Sequence, residues 1–149
     1  MIKIVDGNIL EAEESMIVHQ VNVQGVMGGG VARQLADWHT GLEPFYSEHC
    51  RHLNNDYHLL GGTVLFRGDV NGKKIIANMF SQKPNFDTDY QAMGKALTYI
   101  KQWAKNNNKT ICMPYKIGCG IANGDWNIVY KIIEKVFSDY DVTLYRLEK

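Results

Sequence analysis

Apolar residues in this chain recur either in short β-rich runs or at a spacing near 3.6 residues, and the two patterns alternate. Short runs of this kind are typical of strands, and the longer spacing is typical of amphipathic helices. The runs predict strands at residues 1–5, 16–21, 61–66, 73–79, 110–113 and 142–147. The helical spacing predicts helices at residues 31–38, 42–53, 89–105 and 126–137.

The order of these elements predicts the fold class. Residues 61–66 and 73–79 flank Asp69-Val-Asn-Gly72, whose Asn-Gly pair favours a hairpin turn. A polar segment at 80–88 then leads to the third helix, whose stripe of Met93, Leu97, Ile100 and Trp103 we assign to the core. Elsewhere strands alternate with helices, which predicts an α/β fold: a mixed β-sheet with helices on both faces. The 149 residues fit one domain, 1–149.

Two glycine-rich segments, residues 20–30 and 113–120, each follow a predicted strand and precede a helical pattern. Glycine lets the backbone approach a ligand closely, and amides at such turns can bind phosphate oxygens. Residues 28–30 alone are equally well explained by a tight turn that packs a helix against the sheet. The second segment favours a ligand with two phosphates, bound where both loops leave the carboxyl ends of central strands.

Charge and composition narrow the class of ligand. Sixteen basic and sixteen acidic residues give a net charge of zero, which does not provide the basic field of a nonspecific nucleic-acid-binding protein. A small, locally charged ligand fits better. The apolar runs are too short for a membrane span, and residues 1–6 have the pattern of a strand, so we expect a cytoplasmic protein without membrane contact.

The three cysteines do not form a disulfide framework, and Cys119 between two glycines fits close backbone packing better than a nucleophile. His39, His49, His52 and His58 lack metal-ligand spacing with Cys50, so we expect no metal site and no cofactor.

Three segments carry a resemblance to a known family. Asp6-Gly7-Asn8-Ile9-Leu10 follows the first strand, Asn22 to Gly30 forms the first glycine loop, and Pro114 to Gly120 forms the second. In these segments, and nearly end to end, the chain resembles the macrodomains, which bind ADP-ribose and process its derivatives. Residues 17–22, 26–32 and 117–122 are most similar to the branch of terminal ADP-ribose glycohydrolases, O-acyl-ADP-ribose deacylases and ADP-ribose-1''-phosphate phosphatases.

The resemblance implies a set of ligand-binding residues. The first glycine loop matches the one that wraps the distal ribose in the family, and the second matches the one around the diphosphate. The implied set is Asn8, Ile9, Asn22, Gly28, Gly29, Gly30, Val31, Pro114, Ile117, Gly118, Cys119, Gly120 and Ile121.

Two asparagines of this set have a second interpretation. The Asn22 side chain can donate to and accept from ribose hydroxyls, or it can shape the turn. Many members carry an aspartate where this chain has Asn8. The amide oxygen of Asn8 can still accept a hydrogen bond from the adenine amino group. Asn8 is also a suitable turn residue, and both interpretations can hold together.

The chain departs from the glycohydrolase pattern at two positions. The catalytic aspartate that follows the diphosphate loop in those members matches Ala122 here. Asp125 is near, but Gly124-Asp125-Trp126 has the pattern of a helix N-cap. The glycohydrolase lysine matches a position near Ser81, with Lys83 two residues further on.

Three side chains are candidates for acid–base catalysis or charge stabilisation at the distal ribose. His19 ends the strand before the first loop and resembles a histidine of phosphatase-type members, although a histidine in an apolar strand is more often a core residue. Asp87 matches a segment that carries acid residues near the distal ribose in relatives; alternatively Asp87 or Thr88 caps the third helix. Lys83 precedes Pro84, which favours an extended backbone. Its amine then either points to the site or is solvated.

Two aromatic residues, Phe80 and Phe86, flank the variable segment, where they either stack on the ligand or attach the loop to the core.

The sequence therefore predicts a monomeric macrodomain that binds ADP-ribose and hydrolyses a derivative substituted at the distal ribose: a 1''-phosphate, an O-acyl group or an ADP-ribosyl adduct. An ADP-ribosylated macromolecule is a further candidate partner. The main alternative, favoured by Ala122, is a non-catalytic module that reads or sequesters ADP-ribose or a related nucleotide. RNA binding is a third alternative, against which the zero net charge argues.

Overall fold

The computed structural model describes residues 1–27, 29–52, 59–67, 74–84, 87–120 and 122–147. The strands are β1 (Ile2–Asp6), β2 (Met16–Asn22), β3 (Thr63–Phe66), β4 (Ile75–Gln82), β5 (Ile111–Pro114) and β6 (Val142–Arg146). The helices are α1 (Gly30–Trp38), α2 (Leu42–His52), α3 (Tyr90–Asn106) and α4 (Trp126–Val136), and a short 3-10 helix spans Ile9–Glu11.

The strands form one mixed sheet with the order β1-β6-β5-β2-β4-β3. All neighbouring pairs are parallel except β3 and β4, which are antiparallel with Thr63 opposite Met79. The predicted hairpin strands are confirmed, and the turn predicted at 69–72 lies outside the described residues. Because β2 and β5 are parallel neighbours, the glycine-rich segments that follow them lie at the same edge of the sheet.

Each face of the sheet carries its own core. On one face α3 and α4 contribute Met93, Leu97 and Ile133, all fully buried. On the other face α1 and α2 contribute Leu35 and Tyr46, also fully buried. This arrangement confirms the predicted α/β fold with helices on both faces. Within the described ranges, no helix is long and apolar enough to cross a membrane.

Two local features differ from the sequence prediction. Strand β4 continues to Gln82, beyond the predicted end at residue 79, because its parallel pairing with β2 extends through Phe80 and Gln82. The segment predicted as polar from residue 80 therefore begins with a buried strand end. The 3-10 helix after β1 was not predicted; Asn8 caps it by accepting from the backbone N–H of Leu10 at 3.0 Å.

Candidate functional site

A cavity of about 530 Å³ opens at the carboxyl ends of β2 and β5. Its walls come from the end of β2, the start of α1, the last residue of β4 and the loop after β5. The lining residues are His19, Gln20, Val21, Asn22, Val26, Gly29, Gly30, Val31, Ala32, Gln82, Pro114, Tyr115, Lys116, Ile117, Gly118, Gly120 and Ala122. The predicted meeting of both glycine-rich segments at one site is thus present in the structure.

Asn22 shapes the loop that follows β2. Its Oδ1 accepts from the backbone N–H of Gln24 at 3.0 Å and of Gly25 at 3.1 Å, and from the hydroxyl of Tyr46 at 2.7 Å. Its Nδ2 donates to the carbonyl of Val26 at 2.9 Å. The amide oxygen is therefore engaged within the protein, as expected of a turn asparagine. Since an amide nitrogen carries two hydrogens, one donor remains beyond the bond to Val26.

A pair of charged residues holds the loop in front of α1. Glu43 on α2 accepts from the backbone N–H of Met27 at 3.0 Å, and Arg33 on α1 donates to the Met27 carbonyl at 3.0 Å. Arg33 and Glu43 also form a salt bridge at 3.2 Å. These contacts fix the chain one turn before the helix, and so they orient the N-terminus of α1 at the cavity.

The start of α1 is a backbone anion site. Gly29 is its N-cap, and no side chain caps the helix there. The first N–H groups of a helix lack intrahelical acceptors and carry the positive end of its dipole, so they suit a phosphate. Gly30 has φ +60, a conformation that glycine adopts without strain.

The loop after β5 is built by its own backbone. Every second amide of the loop is used inside it: Ile117 donates to the Pro114 carbonyl at 3.1 Å and Cys119 to the Lys116 carbonyl at 3.0 Å. The Gly118 carbonyl accepts from the Gly124 amide at 2.8 Å. For the amides of Lys116, Gly118 and Gly120, the described part of the chain offers no acceptor.

Positive φ values at Lys116 (+63) and Gly118 (+77) produce this alternation. Such a concave row of amides is a second anion site. Lys116 also brings a positive charge to the cavity lining.

A polar cluster attaches this loop to the sheet. The hydroxyl of Thr88 donates to the carbonyl of Gly118 at 2.7 Å and accepts from Gln20 Nε2 at 3.0 Å. Gln20 Nε2 also donates to Ser81 Oγ at 3.0 Å. Ser81, the residue near the position of the family's lysine, is fully buried in this cluster. It therefore supports the loop and presents no charge to the cavity.

His19 is both a buried core residue and a cavity residue, the two interpretations that the sequence allowed. Its side chain is 1% exposed, yet His19 is among the residues that line the cavity. Its Nε2 lies 2.7 Å from Asn78 Oδ1, and its Nδ1 has no partner among the described residues. Burial lowers the pKa of His19 from 6.5 to about 4, against the smaller opposing effect of the Asn78 hydrogen bond. The imidazole is therefore neutral at neutral pH.

Comparison with known proteins decides the family. The family model named Macro domain matches residues 18–133. The chain belongs to the Macro domain family. An ADP-ribose 1''-phosphate phosphatase of Lodderomyces elongisporus is 30% identical over 139 residues, covering 85% of this chain and 84% of that protein. The family and branch expected from the motifs are confirmed.

Solved structures agree on the fold. The macrodomain of Mycobacterium tuberculosis DarG matches with a TM-score of 0.84 and 22% identity, over 100% of this chain and 99% of that one. Thermosipho africanus DarTG in complex with ADP-ribose matches with a TM-score of 0.81 and 16% identity, over 97% of this chain and 41% of that one.

In this macrodomain, Lys83 and Asp87 lie outside the cavity lining. The backbone N–H of Lys83 donates to the carbonyl of Asp87 at 2.8 Å, and the Asp87 carboxylate accepts from Asn123 Nδ2 at 3.2 Å. The alternative that Asp87 or Thr88 caps α3 is wrong, because Asp89 is the cap and accepts from the N–H of Ala92 at 3.0 Å.

The predicted cap of α4 is confirmed. Asp125 accepts from the backbone N–H of Asn127 at 2.9 Å. Ala122, at the position of the family's aspartate, lines the cavity.

Asn8, Ile9 and Cys119 belong to the predicted binding set but do not line the cavity. Asn8 is exposed and caps the 3-10 helix, and Ile9 is buried beneath it. Cys119 is half-buried, and burial raises the pKa of its thiol, which agrees with a packing role. Gly28, Ile121 and Phe86 lie outside the described residues. Phe80 is 1% exposed and therefore attaches its strand to the core.

Several residues that line the cavity were not predicted from the sequence. Gln82 was missed because β4 was predicted to end too early. Gln20 was missed because its role depends on Thr88 and Ser81, which are more than sixty positions away. Tyr115 directly follows Pro114 and packs against Trp126 with ring centroids 5.0 Å apart. The available signal was an aromatic residue within the predicted ligand loop.

Proposed function

We propose that this macrodomain binds ADP-ribose in the cavity between the two glycine loops and hydrolyses a derivative substituted at the distal ribose. The observation that carries the proposal is the convergence of two backbone anion sites on one cavity that a buried, neutral histidine also lines. The ADP-ribose 1''-phosphate phosphatase relative and the DarTG complex with ADP-ribose support this choice of ligand.

The diphosphate is assigned to the amides at the start of α1 and in the loop after β5. Gly29, Gly30 and Val31 contribute the first group, and Ile117, Gly118 and Gly120 lie in the second. Pro114 begins the second loop, and Gly28, Cys119 and Ile121 complete the two loops by the family resemblance. The cavity volume is in the range of sites that enclose small ligands.

The two ends of the ligand are assigned to different asparagines. The spare donor of Asn22 faces the distal ribose, and Asn8 with Ile9 serves the adenine end. A preference for ADP-ribose over inosine diphosphate ribose tests the assignment of Asn8, because inosine has a carbonyl acceptor in place of the amino group that would donate to the Asn8 amide oxygen.

In the proposed hydrolysis, His19 is the group that accepts a proton. For a 1''-phosphate, the oxygen of a water molecule bonds to phosphorus while the bond from phosphorus to the ribose oxygen breaks. The water proton passes to Nδ1 of His19, the ribose oxygen takes up a proton from a solvent molecule as it leaves, and the imidazolium then returns its proton to solvent. The products are ADP-ribose and inorganic phosphate. An anionic substrate group near the ring raises the pKa of His19 and so favours this transfer.

Lys83 and Asp87 remain secondary catalytic candidates. Both belong to the segment that joins β4 to α3, next to the cavity residue Gln82. We expect His19→Gln to lower turnover by about two to four orders of magnitude, the usual effect of losing an acid–base group. Asp87→Asn and Lys83→Met then measure whether either side chain contributes.

The test is product analysis with purified protein and three substrates side by side: ADP-ribose-1''-phosphate, O-acetyl-ADP-ribose and an ADP-ribosylated protein or nucleic acid. Turnover of one of them, lost in His19→Gln while calorimetry gives unchanged ADP-ribose affinity, is the expected result. The matched control is Thr98→Ala, an exposed position on α3. A wild-type protein that binds ADP-ribose and turns over none of the substrates contradicts the catalytic proposal.

A non-catalytic reader of ADP-ribose is the second candidate function. It is favoured by Ala122, which is 4% exposed and provides no carboxylate where glycohydrolases carry their aspartate. In either case we expect a monomer in the cytoplasm that acts on a free ADP-ribose derivative or on an ADP-ribosylated macromolecule.

A further inference from the structure

Asn78 is a polar residue in the middle of the apolar strand β4, between Ala77 and Met79, and its side chain is fully buried. A buried amide is costly unless its donor and acceptor groups are paired. Both ends of the Asn78 amide have a partner. Nδ2 donates to the carbonyl of Val64 at 3.1 Å, and Oδ1 lies 2.7 Å from His19 Nε2.

These two hydrogen bonds determine the tautomer of His19. The Val64 carbonyl can only accept, so the NH₂ group of Asn78 faces it and Oδ1 faces the imidazole. Because Oδ1 can only accept, the hydrogen of the neutral ring must be on Nε2. The opposite orientation would place two carbonyl oxygens against each other at Val64.

The other ring nitrogen is then a bare acceptor. Nδ1 is buried and has no partner in the described part of the chain, and His19 lines the cavity. A buried acceptor left without a donor is costly, so Nδ1 is the ring atom that gains most from taking a proton or a donor.

We propose that Asn78 is the positioning residue of His19, which it holds as the Nδ1-acceptor tautomer so that a proton acceptor is kept beside the cavity. The catalytic part of this inference rests on the proposed function, whereas the tautomer does not. When Nδ1 takes a proton, Nε2–H continues to donate to Asn78. Since the amide carries no negative charge, it does not trap the imidazolium, and the proton is released again.

The surroundings of His19 agree with a neutral partner. Burial and the Asn78 hydrogen bond are the only causes of its pKa shift, and no charged side chain among the described residues contributes. Asn78→Asp would place a carboxylate at the same distance, which would favour the imidazolium.

The direct test is made on the wild-type protein. Nitrogen-15 NMR of labelled wild-type protein at neutral pH distinguishes the two tautomers and the imidazolium by the shifts of the ring nitrogens. The His19 signals are assigned by their loss in His19→Gln. We expect a protonated Nε2 and an unprotonated Nδ1. A protonated Nδ1, in either the other tautomer or the imidazolium, overturns the inference.

The functional test compares Asn78→Leu and Asn78→Asp with wild type. We expect Asn78→Leu to lower kcat about ten- to a hundredfold, the size of effect seen when a metal-ligating histidine loses the group that orients it, with ADP-ribose affinity nearly unchanged. In Asn78→Asp the acidic limb of the kcat profile should move to higher pH, an effect that loss of packing alone would not produce. Unchanged kcat in Asn78→Leu, while His19→Gln is impaired, overturns the positioning role.

The two proposals fail in different ways. If wild type turns over no substrate, the proposed function is contradicted, and the NMR measurement still decides whether Asn78 sets the tautomer. If wild type is active with the wrong tautomer, only the present inference fails.

Discussion

The two glycine loops reach the same cavity but are held by different kinds of contact. The loop after β2 is shaped by side chains: Asn22 binds backbone amides, Tyr46 binds Asn22, and Arg33 and Glu43 hold Met27. The loop after β5 is shaped mainly by its own backbone and by the positive φ of Gly118, with one side-chain hydrogen bond, from Thr88 to the Gly118 carbonyl. The fold of the first loop is therefore sensitive to the loss of polar side chains, and that of the second to the addition of a side chain at Gly118.

The largest effect is expected at the start of α1, where the first loop presents its amides. Gly29 has φ −161, an extended conformation open to any residue, so a side chain there introduces no backbone strain. Gly29→Glu places a negative charge at the anion site, and juxtaposed like charges cost several kcal/mol. We expect ADP-ribose affinity to fall about a thousandfold, or about 4 kcal/mol, by calorimetry.

Gly29→Gln is the matched control, with nearly the same shape and no charge. It should lose far less affinity than Gly29→Glu. Equal losses in the two variants would show that size, not charge, matters at this position, and would remove the helix start as an anion site.

The next effect is a response to acid that arises in the strand leading into the first loop. His19 lies on the strand that leads into the first loop, and its pKa is about 4 in the folded protein against 6.5 without the fold. Between these values the unfolded chain binds a proton that the folded one does not. Stability should therefore fall as the pH drops from 6.5 to 4, by about 3 kcal/mol through this residue.

The measurement is the free energy of unfolding of wild type and His19→Gln at pH 7 and pH 4. Asp139, whose pKa is lowered from 3.8 to about 2 by Lys101 and Lys105, loses its contribution to stability mainly below pH 4, and any loss above pH 4 is the same in both proteins and cancels in the difference. An identical loss in the two proteins would mean that His19 is not held neutral by the fold.

The difference between local and distant contacts also explains which features could be predicted from the sequence. Periodicity and glycine placement are local signals, and they predicted the helices, most strand bounds and both loops at the carboxyl edge of the sheet. The contacts that define the site are not local. His19 meets Asn78 from 59 positions away and Asn22 meets Tyr46 from 24, which required the strand register and the helix packing to be known.

Helix caps mark a second limit of the sequence. Asp87, Thr88 and Asp89 are consecutive residues that all suit an N-cap, and only the first turn of α3 selects Asp89. At Asp125 the neighbouring residues are poorer caps, and the prediction was correct.

The second loop provides the third prediction, a pair of glycine substitutions. A Cβ on Gly118 would lie 3.0 Å from both Met93 Cε and Thr88 Oγ1, at φ +77. The left-handed conformation costs about 1–2 kcal/mol, and the crowding adds to it, so Gly118→Ala should destabilise the protein by about 2–3 kcal/mol in urea unfolding. Gly120→Ala is the control, because no atom of the described residues lies within 4 Å of its Cβ position. Comparable losses in both variants would contradict the distinction.

The smallest effect is expected where the first loop depends on one hydroxyl. Tyr46 is fully buried on α2, and its hydroxyl lies 2.5 Å from the Asn22 carbonyl and 2.7 Å from Asn22 Oδ1, so Tyr46→Phe keeps the ring in the core and removes the one proton shared by these contacts. We expect a loss of about 1 kcal/mol in the free energy of unfolding, the typical net contribution of such a bond. Because Asn22 retains its bonds to the Gln24 and Gly25 amides, the loop should keep its shape, and ADP-ribose affinity should fall only a few-fold.

Tyr140→Phe, which removes a hydroxyl that donates to the Lys109 carbonyl away from the cavity, is the matched control for stability without an effect on binding. If Tyr46→Phe loses no more affinity than Tyr140→Phe, the first loop does not depend on this side chain, and the two loops are more alike than their contacts indicate.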